Sequence, residues 1–166
     1  MQLSDQIIVL TSTIFNLNDI NTYILKKDGS VLLKFERNLL PPFLLEFQQQ
    51  DFFTLWEEAE QHTGHCCILT NEFGLTYLAS LFTESGEEMK LIVNGPFLRQ
   101  IPDSKDIKNK NKFNEQTLFI VIQFLRSLKL LSSSKISSMA NALVTVHPLH
   151  QVPLHSIDTK KKIWKN

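Results

Sequence analysis

Leu3, Ile7, Leu10, Ile14 and Leu17 recur at spacings of four and three, which places them on one narrow stripe of a helix running from about Ser4 to Phe15. A seam this narrow suits a helix packed on another helix, within its own domain or across a dimer. From Asn21 the pattern changes to β. Thr22-Tyr23-Ile24-Leu25 and Val31-Leu32-Leu33-Lys34-Phe35 flank Lys26-Lys27-Asp28-Gly29-Ser30, and Asp-Gly between two such runs predicts a hairpin, because both residues tolerate positive φ. Leu39-Leu40-Pro41-Pro42-Phe43 interrupts regular structure, since the residue before a proline avoids the α region. Phe52, Phe53, Leu55, Trp56 and Ala59, set among Glu57, Glu58 and Glu60, then fit an amphipathic helix from about Gln49 to His62 that Gly64 ends.

Three strands follow, Cys66 to Asn71, Leu75 to Thr83 and Met89 to Asn94, and the short polar turns between them predict antiparallel neighbours. Asp103 to Lys112 has no apolar period and reads as an exposed loop. Asn114 caps a predicted helix from Glu115 to about Leu131, Ser132-Ser133-Ser134 interrupts it, and a shorter helix runs from about Lys135 to Val146. Beyond Pro148 the pattern predicts an irregular basic tail. The expected fold is therefore α+β: a five-stranded antiparallel, PAS/GAF-like sheet with flanking N- and C-terminal helices covering one side. A single domain would span residues 1–146, with residues 147–166 as the tail.

Composition supports a folded chain. Its 166 residues suit one domain with a real core, and 43% apolar against 20% charged residues argues against disorder. Apolar runs fall short of the roughly 18 to 20 residues that span a bilayer, and the N-terminus lacks the basic start of a signal peptide. A cytoplasmic location, no membrane association and reduced thiols are the expectation. Net charge is zero, yet residues 1–89 hold four Lys/Arg against thirteen Asp/Glu, and residues 90–166 hold thirteen against four. Such a split is met by an acidic partner, by nucleic acid, or within the fold or a dimer itself. Fourteen lysines against three arginines is poor provision for bidentate base reading, so no direct DNA binding by this segment is expected.

His62-Thr63-Gly64-His65-Cys66-Cys67 gathers four residues of metal-ligating type. Adjacent cysteines on a strand point to opposite faces and do not share one ion readily. A thiol beside His65 would also suit a nucleophile or a redox switch, but no residue is seen to orient such a base. Phosphate loops, Rossmann glycines and His-Glu-x-x-His are missing from the sequence. Glu57, Glu58 and Glu60 read as a solvated helix face. His147, His150 and His155, and Lys160-Lys161-Lys162 with Trp164, fall in the tail and read as exposed. No catalytic residue, metal or cofactor is assigned, and the chain is not expected to be an enzyme.

Phe73-Gly74-Leu75-x-Tyr77, followed by Asn94-Gly95-Pro96-Phe97-Leu98, resembles the N-terminal sensory region of AraC-type transcription regulators of Gram-positive bacteria, over roughly Asn21 to Leu98. The resemblance implies a signal-responsive module, with a dimerising helix, that controls helix-turn-helix units lying elsewhere. If a pocket lies between the sheet and its covering helices, Cys66 or Cys67, Phe73, Tyr77 and Phe97 are the candidate ligand-binding residues, and the stripe of the first helix, Leu3, Ile7, Leu10 and Ile14, is the candidate homodimer seam. The partner would be a small molecule or a protein signal. Two alternatives stay open: a small metal- or thiol-dependent enzyme centred on His62 to Cys67, and a ligand-free protein-interaction domain. Gly95-Pro96 should make a bend or bulge at a sheet edge.

Overall fold

The computed structural model describes residues 3–84, 86, 88–110, 113–144 and, as backbone, 154–158. Helix α1 (Asp5–Asn18) opens on Ser4, whose hydroxyl accepts a hydrogen bond from the Ile7 amide, and closes on Asp19 in the left-handed region. Strands β1 (Thr22–Leu25) and β2 (Val31–Phe35) pair antiparallel through the predicted turn. Gly29 takes φ +86° there, and the Asp28 carboxylate accepts from both the amide and the hydroxyl of Ser30.

Helix α2 (Pro42–Gln61) starts two turns earlier than its aromatic residues suggest. Pro42 is the reason: at the first helical position its missing N–H costs nothing. Strands β3 (Cys66–Thr70), β4 (Thr76–Phe82) and β5 (Lys90–Phe97) pair antiparallel in series, and β5 also pairs with β1. The five antiparallel strands thus stand in the order β2-β1-β5-β4-β3, and the fold is α+β as expected.

Three expectations need correction. The first concerns 103–112, read as a loop: Ser104–Lys110 is helix α3. Asp103 caps it, its carboxylate accepting from the Lys105 amide at 3.0 Å, and Ile107 anchors it to the core. The tail is the second, because Leu154–Asp158 forms strand β6, which pairs parallel with β3 from Cys66↔Leu154 to Thr70↔Asp158. His155 lies on this strand, whereas His147, His150, Lys160 to Lys162 and Trp164 lie outside the described residues.

The third correction is to the one-sided sheet. Tyr23, Leu25, Cys67, Leu69, Tyr77, Ala79, Leu81, Leu91 and Val93 form one face of the core with Phe52, Leu55 and Trp56 of α2. Val121, Phe124 and Leu125 of α4 (Glu115–Ser127) join the same cluster. Ile24, Cys66, Ile68, Leu78, Phe82, Ile92 and Phe97 form the other face, covered by Ile7 and Ile14 of α1 and by Ile136, Met139 and Leu143 of α5 (Ser133–Val144). Helices therefore cover both sides, and every residue of β4 and β5 is buried. Adjacent in sequence, α4 and α5 lie on opposite faces, so they form no helix-turn-helix unit.

The bulge predicted at Gly95-Pro96 exists, but inside the sheet. Register slips between Thr76 and Leu78 of β4, where β4 pairs with β5. A cis peptide joins Gly95 to Pro96. Asn94 holds this region together: its fully buried amide donates to the Thr22 hydroxyl at 2.8 Å and to the Asn21 carbonyl at 3.2 Å.

Candidate functional site

Two structural features stand out on the α2 side of the sheet: a buried polar cluster and an open cleft. The cluster begins on α2, where Leu44, Gln48, Asp51 and Leu55 follow one another at spacings of four, three and four and are all buried. Gln48 and Asp51 thus occupy positions that the helix turns toward the core. Asn71, in the turn between β3 and β4, donates from its amide to the Asp51 carboxylate at 2.9 Å. The Asn71 side-chain oxygen accepts from the amides of Phe73 and Leu75, which fixes the turn. Gln48 donates to the Tyr77 hydroxyl at 3.4 Å. Tyr23, nearby on β1, donates to Glu36 at 3.0 Å and accepts from Asn21 at 3.1 Å.

Burial sets the electrostatics of this cluster. With the Asn71 amide as its partner among the described residues, the Asp51 carboxyl is pushed up to about 7, mainly by loss of water; the Asn71 hydrogen bond opposes the rise and the Glu72 charge adds to it. Burial also raises both tyrosines well above the usual phenol range, helped by Asp51 at Tyr77 and by Glu36 at Tyr23. Phe52 packs between the two phenol rings, with centroids 5.3 Å from Tyr23 and 5.6 Å from Tyr77.

The cleft has a volume of about 800 Å³ and is assembled from three stretches distant in sequence. Lys26, Lys27 and Asp28 come from the β1–β2 turn, Trp56, Glu60 and Thr63 from α2 and the turn after it, Leu81 from β4, and Glu88 and Met89 from the connection to β5. Trp56 and Leu81 are buried, Met89 is half-buried, and the charged residues lie toward solvent. Lys27 and Glu60 approach to 3.9 Å across the cleft. The Trp56 Nε1 is buried and has no hydrogen-bond partner among the described residues. A second, polar hollow of about 140 Å³ lies by Asp19, Arg37 and Lys129, where Asp19 holds both cations at 3.2 Å.

None of the candidate ligand-binding residues is among the described residues lining the cleft. The sheet also separates them, with Phe73 and Tyr77 on the α2 side and Cys66 and Phe97 on the α1 side. Phe73 meets Phe47 edge-on at 5.0 Å and stacks on Phe113 at 5.9 Å, and is core. Of the candidate dimer seam, Ile7 and Ile14 are buried, and Leu3 and Leu10 pack half-buried on the same cluster, so the stripe covers its own sheet. Val9 and Leu17 are the large apolar side chains that α1 leaves most exposed, at 63% and 75%.

Cys66 and Cys67 are free, buried and on opposite faces. Burial pushes the Cys67 thiol up to about 12 and raises Cys66 further, the reverse of what a thiolate nucleophile needs. The His62 and His65 rings stand 6.2 Å apart, and His62 Nδ1 lies 3.0 Å from the Glu58 carbonyl. Among the described residues no three His, Cys, Asp or Glu side chains converge as a metal site would require. No helix among them is long and apolar enough to cross a membrane.

The chain matches no protein-family model, and a search of curated proteins gives no match.

Proposed function

We propose that this chain is a regulatory sensor module that takes a small molecule into the cleft between the β1–β2 turn and the end of α2. The cleft is the observation that carries this reading. Its volume falls within the range of about 300 to 1,000 Å³ typical of small-molecule sites, and it sets an apolar floor of Trp56, Leu81 and Met89 beneath a rim of five charged residues and Thr63. The resemblance of Phe73 to Tyr77 and of Asn94 to Leu98 to AraC-type sensory regions supports a regulatory role. In such a system another segment would contact DNA.

Native mass spectrometry of the chain purified from its own cells tests the proposal. A bound small molecule is expected on the wild type and not on Met89→Trp, which crowds the apolar floor of the cleft. A ligand-free protein whose melting temperature responds to no member of a panel of small metabolites would remove the reading. The homodimer is a separate part of the proposal. With Leu3, Ile7, Leu10 and Ile14 occupied within the domain, it would pair through the face that carries Val9 and Leu17. Sedimentation that finds only monomer at high concentration would remove it.

A further inference from the structure

We infer that the cleft selects a non-anionic, apolar ring system bearing a hydrogen-bond acceptor, and that the indole N–H of Trp56 reads that acceptor. This rests on the cleft being a small-molecule site and adds the chemistry of what it takes. Two independent observations carry it: Trp56 lines the cleft together with Leu81 and Met89, and its Nε1 is a buried donor without a partner among the described residues.

An indole nitrogen can only donate. Buried donors are almost always paired, and leaving one unmet carries a desolvation cost that an incoming acceptor recovers. At 3% exposure, Trp56 presents almost no free edge to solvent. The acceptor therefore reaches it by displacing a neighbour in the lining, and Met89, unbranched and half-buried, is the side chain suited to yield.

The rim argues against an anionic ligand. Two cations, Lys26 and Lys27, face three carboxylates, Asp28, Glu60 and Glu88. Asp28 is already bonded to Ser30, and Lys27 lies 3.9 Å from Glu60. The carboxylates outnumber the cations by one, which disfavours an anion and leaves further selectivity to the floor, where Trp56 supplies the buried donor.

The full-length chain carrying Trp164→Phe retains a single indole, so its N–H resonance belongs to Trp56 without further assignment. Titration with quinoline and with naphthalene, which share a shape but differ by one ring-nitrogen acceptor, isolates the hydrogen bond. Quinoline is expected to move the Trp56 N–H resonance downfield and to bind about fivefold tighter than naphthalene, as one net hydrogen bond provides. Equal binding by both without a downfield shift would overturn the acceptor inference and leave the cleft as an apolar site. If neither compound perturbs Trp56 or the Met89 methyl, the small-molecule reading of the cleft falls, and this inference with it.

Discussion

Asp51 is the side chain whose environment most departs from what its charge prefers. An unfolded chain releases this proton near pH 4, whereas the folded one holds it to about 7. Between those values the native state binds the extra proton, so its contribution to stability is full below about pH 4 and is lost as pH rises through 7. The gap corresponds to roughly 2 to 4 kcal/mol. Asp51→Asn keeps an acceptor for Asn71 and removes the ionisation. Urea unfolding should find the variant more stable than wild type at pH 8, by roughly 2 kcal/mol or more, and little different at pH 4.5; a wild type equally stable at both pH values would refute this account. Gly95 is constrained by space. A Cβ there would meet the Thr76 carbonyl oxygen at 2.6 Å and Tyr77 Cδ1 at 2.8 Å, at φ +152°. Gly95→Ala is expected to cost roughly 2 kcal/mol or more in thermal or urea melts. Part of this was legible in the sequence: Gly95-Pro96 announced a bulge, and Gln48 and Asp51 on the apolar stripe of α2 carried a signal that starting the helix at Gln49 concealed.

Secondary-structure elements with a strong local period were read correctly, and those built by tertiary contact were not. The four-three spacing from Leu3 to Leu17 and the Asp28-Gly29 turn gave α1 and the first hairpin. Pro41-Pro42 looked like a break, although a proline both stops the preceding segment and starts a helix well. Among the described side chains of helix α3 Ile107 alone is buried, too few for a period to show. Strand β6 exists through its parallel ladder with β3, a pairing that nothing local in Leu154–Asp158 announces. Its removal has a defined consequence, because β3 would become an open edge with unpaired amides and carbonyls. A chain ending at residue 150 should keep most of its secondary structure by circular dichroism and self-associate more than the full chain in light scattering. Identical scattering from the two would show that the β3 edge needs no cover.

Across the whole molecule, the two-sided burial of the sheet was written in the continuous apolar runs of β3, β4 and β5. Alternation marks a sheet with one wet face, and these runs do not alternate. The cleft was not legible, since residues 26–28, 56–63 and 81–89 meet only once the sheet order brings the first turn beside the end of α2. A core on both sides also shields Cys66 and Cys67, at 1% and 0% exposure. Native protein should react with a thiol reagent at neutral pH at least about a hundredfold more slowly than the urea-unfolded chain, with labelling following the opening of the fold. Rapid modification of either thiol without denaturant would contradict this packing. Because neighbouring residues on one strand carry the two sulfurs into separate layers, Cys66→Ser and Cys67→Ser variants each retain a gauge for one layer alone, and comparing their labelling rates tells which side of the molecule loosens first.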